Sequence, residues 1–183
     1  MFDLYTWPTP NGRKVSILLE ELEIDYNVRP INIDKGEQFL ENFNSISIDN
    51  KIPIIFDHKE KVYIRESGVI LIYLAEIYNR FMPIDEYRFD TLQWLMWQMS
   101  ALGPICGQAH HFLYYNPGKS EYSENRFKKV TEKLYKILNN RLEKFKYVSG
   151  ANNGEYTIAD IAIWPWIARH KRHQIDLKNY PGV

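Results

Sequence analysis

The stretch YTWPTPNGRKVSILLEE, from Tyr5 to Glu21, carries an apolar run into a turn with two prolines and a glycine. Val15, Leu18, Leu19 and Leu22 then recur at helical spacing. A strand that delivers a polar loop onto a helix N-terminus is a frequent way to build a reactive site. The first-turn N–H groups there have no intrahelical acceptor and carry the positive end of the helix dipole. Yet this loop holds no cysteine, histidine or carboxylate. It offers the hydroxyl of Thr9 and the amide of Asn11, both hydrogen-bonding groups. Thr9 also suits the N-cap, with Pro10 at the first helical position, where its missing N–H costs little.

Other chemistry-bearing residues each have a structural and a functional reading. In NKIPIIFD, Pro53 at a strand entrance fits an edge strand. A cis peptide between Ile52 and Pro53 is the sharper alternative, one that leaves the backbone of Ile52 to pair with an extended peptide. In RESGVILIYL, Glu66 and Ser67 open a helix. They serve as plain capping, or Ser67 and the helix N-terminus receive a carboxylate while Glu66 binds a neighbouring ammonium. A site for both charges suits the α-amino acid end of a small peptide. Thr157-Ile158-Ala159-Asp160 has capping-box spacing and does folding work. His110 and His111 are adjacent and point about 100° apart on a helix, so they do not chelate one metal as a pair. Cys106, in an apolar stretch, reads as an inert core thiol, and Trp94 and Trp97 read as core or interface anchors.

The elements that must position these groups follow from the apolar periodicity. Strands are expected at Phe2–Tyr5, Tyr26–Ile33, Ile52–Phe56 and Val62–Ile64, the last two joined by the charged turn DHKEK. Helices are expected from Asn11, weakly over Gln38–Phe43, and from Glu66. This order builds one mixed sheet with helices on both faces. Beyond Phe81-Met82-Pro83 no strand candidate occurs. A long helix with a break near Gly103-Pro104, a helix over Lys128–Phe145 and a buried helix in YTIADIAIWPWIARH are expected there.

With Lys+Arg and Asp+Glu both at 23 in 183 residues, the formal net charge is zero, which argues against nucleic acid or a membrane surface as partner. Hydrophobic residues at 45% suffice for a real core. A single cysteine fits a reducing cytoplasm, and neither a signal peptide nor a bilayer-spanning run is evident.

Taken in register, YTWPTPNG, KGEQF, NKIPIIFDH, ESGVILIYLAE, LQWLMWQ, LGPICGQAHHF and IADIAIWPW resemble the cytosolic glutathione transferases, and within them the bacterial nu-class disulfide-bond oxidoreductases. The resemblance covers nearly the whole chain. It implies the glutathione transferase architecture: an α/β thioredoxin-like domain over residues 1–82, then an all-α helical bundle over 86–183. Because that family continues into further C-terminal helices beyond DLKNYPGV, the helical domain is expected to be incomplete at its end.

The resemblance also implies a cytoplasmic, homodimeric enzyme with glutathione as cosubstrate and a small disulfide or electrophile as partner. No metal, nucleic acid or membrane is implied. Where thioredoxin carries C-x-x-C, this turn has no thiol, so the sulfur arrives with the ligand. Thr9 and Asn11 are the implied catalytic groups, stabilising the glutathione thiolate. Gln38 holds the glycine end, Ile52 before cis-Pro53 pairs with the cysteinyl part, Glu66 and Ser67 take the γ-glutamyl ammonium and carboxylate, and Arg126 lines the cleft. Tyr5, inside the strand, reads as packing, with a catalytic tyrosine as the alternative. The implied reaction is reduction of small disulfides. Conjugation of electrophiles or reduction of organic peroxides needs the same thiolate, and a catalytically silent binding module is the reading from another class.

Overall fold

A computed structural model describes residues 1–183. The chain divides into two compact units, Met1–Met82 and Pro83–Val183.

The first unit is a thioredoxin-like four-stranded sheet in the order β2-β1-β3-β4. Its strands are β1 Phe2–Thr6, β2 Tyr26–Pro30, β3 Ile54–Asp57 and β4 Val62–Ile64. β1 and β2 run parallel, and the other neighbours are antiparallel. A parallel pair needs a crossover, which α1, Pro10–Glu21, supplies. The β3–β4 hairpin closes because Asp57 Oδ1 accepts the N–H groups of Lys59 and Glu60 at 2.7 and 3.3 Å.

Side chains alternate across a strand, so Phe2 and Leu4 share one face with their cross-strand partners Asp57 and Ile55. The helix α3, Ser67–Tyr78, covers that face, and its Tyr73 donates to Asp57 Oδ2 at 2.7 Å. α1 packs against α3, burying Val15, Leu18 and Leu19 with Ile70, Leu71 and Leu74. Each such side chain contributes about 1.5–3 kcal/mol on burial. The opposite face carries Asp3, Tyr5, Phe56 and Tyr63, so the two long helices share one face of the sheet rather than dividing between the two.

Three expectations shift. β2 ends at Pro30, because Asn32 instead accepts the N–H groups of Asp34 and Lys35 and starts a 3₁₀ turn over Ile33–Lys35. The weak helix expected from Gln38 becomes a second 3₁₀ turn, Glu37–Phe39, and the four-residue α2, Glu41–Asn44. Leu40, with ψ 145°, is extended and separates them. β3 starts two residues late, after a cis Ile52–Pro53 bond.

The second unit is all-helical. α4 spans Tyr87–Trp97, α5 Gly103–Ala109, α6 Glu121–Leu142 and α7 Ile158–Ile167. No break occurs at Gly103-Pro104. Wide π turns over Gln98–Leu102 and His110–Tyr115 join α4 and α5 and extend beyond them. Pro104 lies in the first turn of α5, where the preceding π turn absorbs its missing N–H. α6 begins well before Lys128 because Ser120 caps it, accepting from Ser123 N–H. The Thr157/Asp160 capping box starts α7. The core gathers Leu102, Cys106, Tyr135, Leu138, Ile163 and Trp166 from α5, α6, α7 and the first π turn. No helix is long and apolar enough to cross a membrane.

Candidate functional site

Register brings three segments of the first unit to one end of its sheet. Tyr5 pairs with Ile54, so the cis Ile52–Pro53 bond stands beside the loop that follows β1. Ile55 pairs with Ile64, which puts the β4–α3 junction, Arg65 to Ser67, at the same end. The loop is also tied to the β2–β3 connection, since Trp7 Nε1 donates to Asp34 Oδ2 at 3.1 Å and Ile31 N–H donates to Thr6 O at 2.9 Å.

Thr9 is the N-cap of α1, its Oγ1 accepting from Gly12 N–H at 3.1 Å. The cap occupies one lone pair, and the hydroxyl hydrogen still donates. Asn11, one residue into the helix, engages neither its backbone N–H nor its side-chain amide within the chain. Gly12 is required sterically, because a Cβ there would lie 2.5 Å from the carbonyl oxygen of Trp7. The α1 N-terminus thus presents donors to whatever lies before the loop, and it favours an anion.

Neither backbone polar group of Ile52 takes a hydrogen bond inside the chain. Gln38, in the second 3₁₀ turn, has its Oε1 shielded from solvent with no partner. Glu66 precedes α3 with φ 64° and ψ 115°, outside the regions favoured by L-residues, and makes no side-chain cap bond. Simple capping therefore does not account for it. Its carboxylate is exposed, whereas Ser67 is buried.

Lys14 was not among the residues singled out in the sequence. It is 1% exposed, on the face of α1 that carries Val15 and Leu18, and its Nζ donates to Ser67 Oγ at 3.3 Å. Burial pulls its pKa down to about 7, and the charge of Glu66 pulls the other way. The available signal was a lysine falling on an apolar helical stripe.

Tyr5 lies within β1, its ring centroid 6.2 Å from that of Tyr63. Burial and then a hydrogen bond with Tyr63 hold its phenol above the usual range, which suits packing rather than acid–base exchange. Arg126 belongs to the other unit, on an exposed face of α6. His110 and His111 do part company: His110 is buried and stacks on His173 at 4.5 Å, while His111 is exposed. Burial pushes the Cys106 thiol far up. No cluster of three or more His, Cys, Asp or Glu stands at ligand spacing.

The arrangement combines an anion-favouring loop, an unengaged main-chain segment, an exposed carboxylate and a second helix N-terminus. These suit a small zwitterionic peptide bearing a further acidic atom.

Residues 1–76 match the family model described as glutathione S-transferase, N-terminal domain. The disulfide-bond oxidoreductase YfcG of Escherichia coli strain K12 is 46% identical over 189 aligned positions, which cover 100% of this chain and 86% of that protein. A glutathione transferase family member from Pseudomonas fluorescens pf-5, solved with two glutathione bound, superposes with a TM-score of 0.90 at 32% identity. The match covers 99% of this chain and 84% of that one. A glutathione transferase from Pseudomonas putida, solved with one glutathione disulfide per subunit, gives a TM-score of 0.91 at 34% identity, over 99% of this chain and 82% of the other.

Proposed function

The chain belongs to the glutathione S-transferase family, and from that premise we propose that it is an enzyme that reduces small disulfides with a bound glutathione thiolate. The observation that carries this reading is the unspent hydrogen-bonding capacity of Asn11 and Ile52, together with the exposed carboxylate of Glu66. One tripeptide uses all of it. The γ-glutamyl carboxylate goes to Ser67 and the α3 N-terminus, and its ammonium to Glu66. The cysteinyl unit pairs with Ile52 beside Pro53, and the glycine end reaches Gln38. Arg126, on α6, is kept as a cleft-lining, glutathione-binding residue on the family resemblance alone.

The thiol then falls to Thr9 and Asn11. A free thiol with a pKa near 8.5 is mostly protonated at neutral pH. Each unit of lowering corresponds to about 1.4 kcal/mol, within reach of one or two charge-assisted hydrogen bonds plus a helix N-terminus. The thiolate attacks one sulfur of the substrate disulfide, forming a mixed disulfide and releasing the other sulfur as a thiolate, which takes up a proton. A second glutathione thiolate attacks the glutathione sulfur of that mixed disulfide, giving oxidised glutathione and the second substrate thiol. Two glutathiones are oxidised and one disulfide is reduced. The name of the YfcG relative and the glutathione disulfide in the Pseudomonas putida structure support this direction over conjugation.

The proposal includes a cytoplasmic homodimer. Val69 and Ile77 on α3, and Phe89 and Met96 on α4, are large apolar side chains left exposed, as an interface between copies requires. Parallel assays with hydroxyethyl disulfide and chlorodinitrobenzene test the reaction. Disulfide reduction is expected to dominate, and turnover of the aromatic electrophile alone overturns the assignment. Sedimentation analysis tests the dimer.

A further inference from the structure

Two segments of the first unit are each braced from within, and a side-chain hydrogen bond joins them. The first segment is the loop after β1. The carbonyl oxygen of Trp7 accepts the N–H of Thr9 at 2.6 Å. That oxygen would lie 2.5 Å from a Cβ at Gly12, so the start of α1 packs directly on it. Trp7, Thr9 and Asn11 are therefore placed together.

The second segment is the β2–β3 connection, with Asn32 as its hub. Asn32 Oδ1 accepts the N–H groups of Asp34 and Lys35 at 3.0 and 3.2 Å. Its backbone N–H donates to Glu37 Oε2 at 2.7 Å, and its carbonyl oxygen accepts the N–H of Glu37 at 3.1 Å. These bonds bridge Gly36, at φ 76°, and tie the first 3₁₀ turn to the second, which carries Gln38. A displacement of Asp34 is thus passed on to Gln38.

The joining bond runs from Trp7 Nε1 to Asp34 Oδ2 at 3.1 Å. Asp34 is exposed and has water as an alternative partner, so folding alone does not require this bond. Its place in the chain is what gives it consequence. Ile31 N–H donates to Thr6 O at 2.9 Å, and the Trp7–Asp34 bond carries that tie beyond the ends of β1 and β2, into the two segments that hold Asn11 and Gln38.

Resting on the glutathione reading of the site, we propose that Trp7 and Asp34 are positioning residues that gauge ligand length. Their hydrogen bond fixes the reach from the thiol-polarising loop to the turn that takes the glycine end. A full tripeptide meets both segments and benefits from a fixed reach. A ligand that stops at the cysteinyl unit meets only the loop and gains nothing from it. Preorganisation of this kind favours the ligand that spans both points.

Calorimetric titration of the full chain with S-methylglutathione tests the proposal, with S-methyl-γ-glutamylcysteine as the ligand that lacks glycine. The unsubstituted chain is expected to bind the tripeptide more tightly. Trp7→Phe and Asp34→Ala are each expected to weaken S-methylglutathione by about fivefold, the loss of one hydrogen bond, and to leave the shorter ligand within about twofold. Because both changes remove the same bond, the double variant is expected to lose no more than either single one. Asp34→Asn keeps a side-chain oxygen to accept from the indole and is expected to bind S-methylglutathione within about twofold of the unsubstituted chain. Asp34 is exposed, so its variants decide the question even where Trp7→Phe does not fold.

Equal losses for the two ligands make the pair structural and overturn the proposal. Additive losses in the double variant overturn it too, as does equal binding of both ligands by the unsubstituted chain. If that chain does not bind S-methylglutathione at millimolar concentration, the glutathione reading itself fails. If it binds and the Trp7 and Asp34 variants change nothing, that reading stands and this inference alone falls.

Discussion

The backbone N–H of Gly12 donates to Oγ1 of Thr9 at 3.1 Å, so one hydroxyl both starts α1 and stands in the loop proposed to polarise the ligand sulfur. Asn11, two residues on, is not used to hold the helix. The two residues are therefore expected to separate on substitution. Thr9→Ala loses the cap, about 1 kcal/mol of stability, along with turnover, while Thr9→Ser restores both. Asn11→Ala is expected to leave stability within about 0.5 kcal/mol yet raise the bound thiol's pKa and lower the disulfide-reduction rate by about tenfold or more. Thermal melting, thiolate absorbance against pH and steady-state kinetics read the three quantities. An unchanged thiol pKa in Asn11→Ala removes the loop from the chemistry.

Glu66 holds φ 64° and ψ 115° without a side-chain cap bond to stabilise it. A non-glycine residue in such backbone costs of order 1–3 kcal/mol and persists where the surroundings impose it. Glu66→Ala keeps the strain and Glu66→Gly relieves it. Glu66→Gly is therefore expected to be more stable than Glu66→Ala by about 1 kcal/mol, with both losing glutathione affinity together. Denaturant unfolding and calorimetry of the pair check this. Equal stability of the two variants means that the backbone there is not strained.

The helical unit carries a buried polar stack. His110 lies against His173 with ring centroids 4.5 Å apart, and His173 Nδ1 is 2.9 Å from the hydroxyl of Tyr135. Burial, and then the nearby Arg169 and Arg172, lower the His110 pKa to about 4. Burial, and then His110, His170, Arg169 and Arg172, lower that of His173 to about 3. Both folded-state values lie below the unfolded value of about 6.5, so the unfolded chain binds more protons as pH falls. The stability is present above about pH 6.5 and is lost progressively as pH drops toward 4, by at most about 1.4 kcal/mol per pH unit for each histidine. Thermal melts from pH 7.5 to 4.5 are expected to show this slope, and His110→Phe to lessen it. A flat profile in the unsubstituted chain sinks the account.

Periodicity made α1, α3, α6 and α7 legible because their apolar residues, such as Val15, Leu18 and Leu19, face one core. The residues near Gln38 were misread because Gly36, at φ 76°, and the extended Leu40 divide a helix-like stretch into separate turns. Pro104 signals a break by residue type, but a π turn just before it lets the helix continue, and no residue type announces a π turn. In the candidate site, Thr9, Ile52 and Ser67 could be placed because element ends have sequence signals. The strained backbone of Glu66 arises from tertiary packing, which a glutamate does not announce, and the burial of Lys14 showed in the sequence only as a lysine on the apolar stripe of α1.

Cys106 supplies the last prediction. It is the single cysteine of the chain, fully buried in the helical core, and dehydration pushes its thiol pKa far up. A thiol that does not ionise is neither a nucleophile nor an accessible partner for a substrate disulfide. If the attacking sulfur belongs to glutathione, Cys106→Ala is expected to keep its disulfide-reduction kcat/KM within about twofold of the unsubstituted chain. It is expected to lose about 1 kcal/mol of stability from the emptied volume. Steady-state kinetics on the folded variant, with folding verified by thermal melting, decide the matter. Loss of turnover in a folded Cys106→Ala protein places the reactive sulfur in the polypeptide and ends the glutathione-thiolate mechanism.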